Sequence, residues 1–152
     1  MDNKIFSINL NFDSLGEAYG WPENFKDDSA FTQGIKRIIN LSEKLNIPVT
    51  FFLVGKDLEN KKNFEIIKAL SDNQNVEIAN HSYNHLFNFG SRNEQKNYDE
   101  IYKSHEIIFK CTGRESKGFI SPILGIELAI PTATHLSSKS FFLSINVYSL
   151  LV

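Results

Sequence analysis

The sequence predicts an α/β fold built on a parallel sheet, and three observations carry that prediction. Strand-type and helix-type segments alternate between residues 4 and 122 in the order β-α-β-α-β-α-β, which implies parallel strands joined by right-handed crossovers. One strand segment, Val49–Val54, is apolar almost without interruption, the pattern of a strand covered on both faces. Asp13, His81 and Ser121 each fall at the C-terminal end of a strand segment, where such folds gather their chemistry.

In chain order, Lys4–Asn11 sets Phe6, Ile8 and Leu10 against Ser7, Asn9 and Asn11, the period-two signature of a first strand ending at Asp13. A loop with Gly16, Gly20 and Pro22 follows. Ser29 is expected to cap a helix in which Phe31, Ile35, Ile38, Ile39, Leu41 and Leu45 recur at about helical spacing. Pro48–Val54 is the second strand, ended by Gly55. A second helix is expected from about Asn60 to Leu70 on Phe64, Ile66, Ile67 and Leu70, and a third short strand over Val76–Ala79. A third helix is expected over Asn93–Cys111, stopped by Thr112-Gly113, then a fourth strand over Gly118–Ser121 ended by Pro122. From Ile126 onward the acidic and basic side chains dwindle to Glu127 and Lys139, and Phe141–Tyr148 is compatible with one more strand.

At 152 residues the chain has the length of one domain, with 13 Phe to build a core. A net charge of -2 and a pI near 6.1 give no electrostatic case for nucleic acid or an anionic membrane surface. The residues after Met1 are too polar for a secretory leader, and Phe141–Val152, broken by Ser144, Asn146 and Ser149, falls short of the ~20 residues of a membrane span. A cytoplasmic protein is the resulting expectation. The single cysteine, Cys111, excludes an intrachain disulfide and a cysteine metal cluster, and its place after Ile107, Ile108 and Phe109 reads as a buried structural thiol.

His81 and His85 stand four apart just past a strand. If the chain turns helical there, both imidazoles project to one side and can meet one cation, with Asp13 at the neighbouring strand end as the carboxylate that completes the set. Spacing alone is equally compatible with two surface histidines flanking a polar turn, and Ser82 suits either orienting His81 or simply turning the chain. His105 reads as a solvated helix residue, Trp21-Pro22 as packing before any sugar-stacking wall, and Asp27-Asp28 as favouring a helix N-terminus.

Taken together, Asn11-Phe-Asp-Ser14, Pro48-Val-Thr-Phe-Phe-Leu-Val-Gly55 and Val76-Glu-Ile-Ala-Asn-His-Ser-Tyr-Asn-His85 resemble, in order and spacing, successive landmarks of the polysaccharide deacetylase (NodB-homology) family. Gly118-Phe-Ile-Ser-Pro122 sits where that family places Phe-Arg-x-Pro. The resemblance covers about Lys4 to Gly125 and implies an incomplete (β/α) barrel. It implies metal-dependent hydrolysis of the amide bond of an N-acetylated carbohydrate, with a divalent metal, zinc first, held by Asp13, His81 and His85. In that reaction a cation polarises the acetamide carbonyl and a carboxylate takes the proton of the attacking water.

Three departures accompany the resemblance. The family's paired Asp is a single Asp13 followed by Ser14: direct alignment puts Asp13 on the base position, a one-residue shift makes it the ligand, and two neutral imidazoles alone would bind a dication poorly. Ile120 replaces an Arg that steadies the base and is expected to pack in the core. The family's later Asp motif and Leu-x-His motif have no counterpart, since His135 is the one histidine of the tail and Thr132–Ser138 does not match. Residues 1–125 are therefore expected to be the N-terminal part of such a domain and 126–152 an atypical tail, as in a frameshifted or prematurely ended member. An exposed sheet edge would then favour self-association. The alternatives to a carbohydrate deacetylase are a non-catalytic remnant and an amidohydrolase acting on a small cytoplasmic amide.

Overall fold

The computed structural model describes residues 7–14, 29–89 and 92–122. Strands β1 (Ile8–Phe12), β2 (Val49–Leu53) and β3 (Val76–Asn80) form a parallel sheet in the order β1-β2-β3. Between them lie helix α1 (Ile35–Leu45), entered through a π-helical turn over Ala30–Gly34, and helix α2 (Lys61–Leu70), entered through a 3-10 turn over Gly55–Glu59. Helix α3 (Glu94–Thr112) follows β3. The expected α/β alternation on parallel strands is what the chain forms.

Local chemistry accounts for most boundaries. The Asn60 and Asn93 side chains accept from the backbone N–H of Lys62 and Gln95, capping α2 and α3. Gly113 ends α3 at φ 69, a left-handed conformation that costs a glycine little, and its N–H returns to the Phe109 carbonyl. Ser29 departs from expectation: its own backbone is already helical (φ -59, ψ -28), so its hydroxyl cannot fold back onto the first N–H groups, and no side-chain cap forms.

The core lies between the sheet and its helices. β2 is buried along nearly its whole length, as its apolar run predicts, and Phe51 and Leu53 join Leu10, Phe12, Phe31, Ile35, Ile67 and Ile108 in one cluster. Phe12 meets Phe31 and Phe51 edge-on, with ring centroids 5.0 and 5.4 Å away. Cys111 is buried at the rim of this cluster, as expected, its thiol donating to the Phe64 carbonyl.

The expected fourth strand is a single bridge: Asn80 donates to the Gly118 carbonyl and Ile120 to the Asn80 carbonyl, pairing Asn80 with Phe119. Ile120 is half-buried there rather than packed in the core, because one bridge does not draw it under the sheet. Trp21, Pro22, Asp27, Asp28, His135, the boundary expected near Gly125 and the tail 126–152 lie outside the described residues. Among the described residues no helix is long and apolar enough to cross a membrane.

Candidate metal centre

Sheet register brings the site together. Phe12, Leu53 and Asn80 form the last paired row, so Asp13 and His81 are each one residue beyond it on the same rim. The two strands that carry them are separated by β2, a backbone distance of about 9–10 Å. The side chains close that distance across the end of β2: Asp13 Oδ1 lies 3.9 Å from His81 Nε2, and Asp13 Oδ2 lies 3.4 Å from His85 Nε2. One donor atom from each of the three residues falls within 4.8 Å of the others. The carboxylate thus stands between two imidazoles whose rings are 4.9 Å apart and nearly edge-on.

The histidines do not project from a helical turn, the condition under which spacing alone would bring both imidazoles to one side. The chain past β3 turns through two left-handed residues, Ser82 at φ 65 and His85 at φ 53. A non-glycine residue in that region costs on the order of 1–3 kcal/mol and persists only where its surroundings impose it. Here they do. The Asn80 carboxamide accepts from the Ser82 N–H and donates to the Ile101 carbonyl on α3. Ser82 Oγ accepts from the His85 N–H at 3.2 Å, so this serine orients the second histidine rather than the first. Glu100 on α3 accepts from both the backbone N–H and the side-chain amide of Asn84, at 2.8 and 2.6 Å.

His81 has its own fixings. Its backbone N–H donates to the Leu53 carbonyl, and its ring Nδ1 lies 2.8 Å from the Ile120 carbonyl. A carbonyl only accepts, so Nδ1 carries the proton, and the neutral ring then presents the lone pair of Nε2 toward Asp13. Burial holds the His81 imidazole below its ordinary pKa against the opposing pull of Asp13, which keeps that ring neutral. A lone pair facing a carboxylate is unfavourable unless a cation lies between them.

The polar atoms left over point the same way. Asp13 Oδ1 and His85 Nδ1 are buried with no hydrogen-bond partner among the described residues. The Nε2 atoms of His81 and His85 converge on the Asp13 carboxylate, whose Oδ1 is unpaired, a donor set fit for a divalent transition metal.

Two supporting residues escaped the sequence reading. Asp57, buried in the turn after β2, accepts the Ser14 N–H at 2.7 Å and so anchors the backbone beside Asp13. Glu100 anchors the histidine loop from α3. An acid two residues past the glycine that closes the strand was the one signal available for Asp57. Of the other candidates, Ser121 turns its hydroxyl to the Pro122 carbonyl, and His105 pairs with Ser116 instead of joining the cluster.

Comparison with known proteins finds relatives by sequence and by fold. A family model for polysaccharide deacetylase matches residues 6–135. The chain is 32% identical over 99 residues to a peptidoglycan-N-acetylglucosamine deacetylase of Bacillus cereus, covering 65% of this chain and 34% of that protein. It is 23% identical over 121 residues to the peptidoglycan-N-acetylmuramic acid deacetylase PdaA of Bacillus subtilis, covering 78% and 44%. Among solved structures, a CE4-family pseudoenzyme of Bacillus anthracis, in a mutant with restored enzymatic activity, superposes with a TM-score of 0.57 at 25% identity over 80% of this chain and 38% of that one. A peptidoglycan N-acetylglucosamine deacetylase gives 0.53 at 27% identity, covering 74% and 44%. The chain spans between about a third and less than half of the length of these proteins.

Proposed function

Because the chain belongs to the polysaccharide deacetylase family, we propose that Asp13, His81 and His85 hold a divalent metal, zinc in the first instance, in a site for hydrolysing the acetamide bond of an N-acetylated glycan. The observation that carries this reading is the convergence of Asp13, His81 and His85 at the strand rim, with Asp13 Oδ1 buried and unpaired among them. Such a cation, when bound, supplies a Lewis acid for the acetamide carbonyl and its attacking water. The protein's own contribution is positional: the Ile120 carbonyl fixes the tautomer of His81, and Asp57 and Ser82 fix the backbones of the other two donors.

Each carboxylate oxygen of Asp13 faces an imidazole, which favours the ligand role for Asp13 over the base role. The described cluster then contains no second carboxylate to take a proton from water. General-base catalysis is worth roughly 100- to 10,000-fold, so we expect slow acetate release. The same observation favours a second reading, a metal-binding member of the family without catalysis.

Two measurements test these readings. Metal analysis of the purified parent should give one divalent ion per chain, lost in both His81→Ala and His85→Ala; a parent that takes up no metal would remove the reading. Acetate released from N-acetylglucosamine oligomers above the level of the His81→Ala variant would establish catalysis, and its absence from a metal-loaded protein would leave the non-catalytic reading.

A further inference from the structure

We propose that Glu100 is a positioning residue for the metal centre, gripping Asn84 so that His85 is held with its imidazole turned toward Asp13. The inference rests on the metal-site reading above.

The loop from His81 to His85 has to accommodate two left-handed residues, and His85 is one of them. Asn84, its immediate predecessor, is an exposed residue whose position is set by a two-point contact: both oxygens of one carboxylate accept from it, one from the peptide N–H and one from the amide. Two bonds to a single planar acceptor fix the Tyr83–Asn84 peptide and the Asn84 side chain together, and so set the Asn84 Cα from which the chain enters His85. An acid is the residue this task demands, because both atoms facing Asn84 must be acceptors.

The rest of the loop cannot substitute for this contact. Tyr83 is buried and held by Glu59, to which its hydroxyl donates, and by Lys103, whose ammonium lies 3.6 Å over its ring. Those contacts secure the middle of the loop. The Ser82 hydroxyl reaches the His85 N–H at 3.2 Å, but Ser82 is itself left-handed and depends on the Asn80 carboxamide. Glu100 is thus the group that ties the His85 end of the loop to a rigid helix.

The test compares metal affinity in the full chain, by titration with Zn2+ and by the visible spectrum of bound Co2+. Glu100→Ala is expected to weaken binding about tenfold or more, in the range typical of groups that orient metal ligands. Glu100→Gln keeps one acceptor and should fall between the two. Combining Glu100→Ala with Asn84→Ala should weaken binding no further than Glu100→Ala alone, since Asn84→Ala removes only the side-chain half of the same contact and keeps the peptide N–H. Ile108→Val, a core change in the same helix, should lower the melting temperature without altering affinity, which separates positioning from general loosening.

A second readout needs no metal. In the metal-free protein the His85 ring NMR signals should shift in both Glu100→Ala and Asn84→Ala, while those of His105 stay in place. Unchanged His85 signals in the two variants would overturn the proposal, as would an unchanged metal affinity. A parent that binds no metal would defeat the deacetylase-type site, and the His85 signals would still decide the role of Glu100; if Glu100→Ala does not fold, Glu100→Gln and Asn84→Ala each weaken the same contact and report it in part.

Discussion

Gly55→Ala should destabilise the protein even though replacing glycine with alanine usually does the reverse. A Cβ at position 55 would sit 2.9 Å from Ser104 Cα, 2.9 Å from Ser104 Oγ and 2.9 Å from Tyr83 Cδ2. Comfortable carbon–carbon contact begins near 3.5 Å, so the neighbours must retreat by roughly 0.6 Å or more. The Ser104 hydroxyl can rotate away, but its Cα belongs to α3 and moves only with the helix. Tyr83 is pinned by Glu59 and Lys103. Overpacking of this kind costs about 1–3 kcal/mol, offset by about 0.4–1 kcal/mol from the stiffer unfolded chain. A net loss of about 1–2 kcal/mol follows, a fall in melting temperature of about 2–8 °C for a chain of this size. The displacement also moves Glu100 and Ile101, which hold the histidine loop, so metal affinity should fall with stability. Thermal and urea melts monitored by circular dichroism, beside a Zn2+ titration, measure both. Gly34→Ala is the matched control: its Cβ would meet nothing closer than 3.8 Å and its backbone is helical at φ -58, so it should gain about 0.5–1 kcal/mol. If Gly55→Ala melts at or above the parent temperature, the close packing of β2's turn against α3 is not what the site depends on.

Further outcomes separate the roles of neighbouring residues. Asp13→Asn should reduce metal affinity beyond the roughly 100-fold upper end for orienting groups, whereas Ser14→Ala should leave it intact, because the Ser14 bond to Asp57 comes from the backbone; the opposite pattern in a metal titration would put the ligand at 14. Burial, reinforced by nearby Glu65, pushes the Cys111 thiol up to about 11, so a thiol reagent at pH 8 should react with the native protein only as fast as it opens. The folded pKa lies above the unfolded value near 9, so the associated stability is present below pH 9 and is lost as the pH rises toward 11. Urea midpoints should show this loss in the parent and not in Cys111→Ala.

The sequence by itself determined the features that depend on local pattern. Period-two and continuous apolar runs marked the strands, helical spacing marked α1 to α3, and Thr112-Gly113 marked a stop that the left-handed Gly113 explains. Register did the rest for Asp13 and His81, since parallel strands ending in one row must present their next residues on one rim. Residues whose role depends on a distant partner were not legible. Asp57 and Ser14 are 43 positions apart, and Glu100 and Asn84 are 16 apart, with no periodicity linking either pair. Ile120 shows the limit most clearly: its side chain gave no hint of a part in the site, because the atom that fixes His81 is its backbone carbonyl, which every residue carries. The conformation of the turn at His85 was not legible for the same reason. Local propensity disfavours a left-handed histidine, and only the tertiary contacts of Asn80, Ser82 and Asn84 make that conformation the lowest in energy.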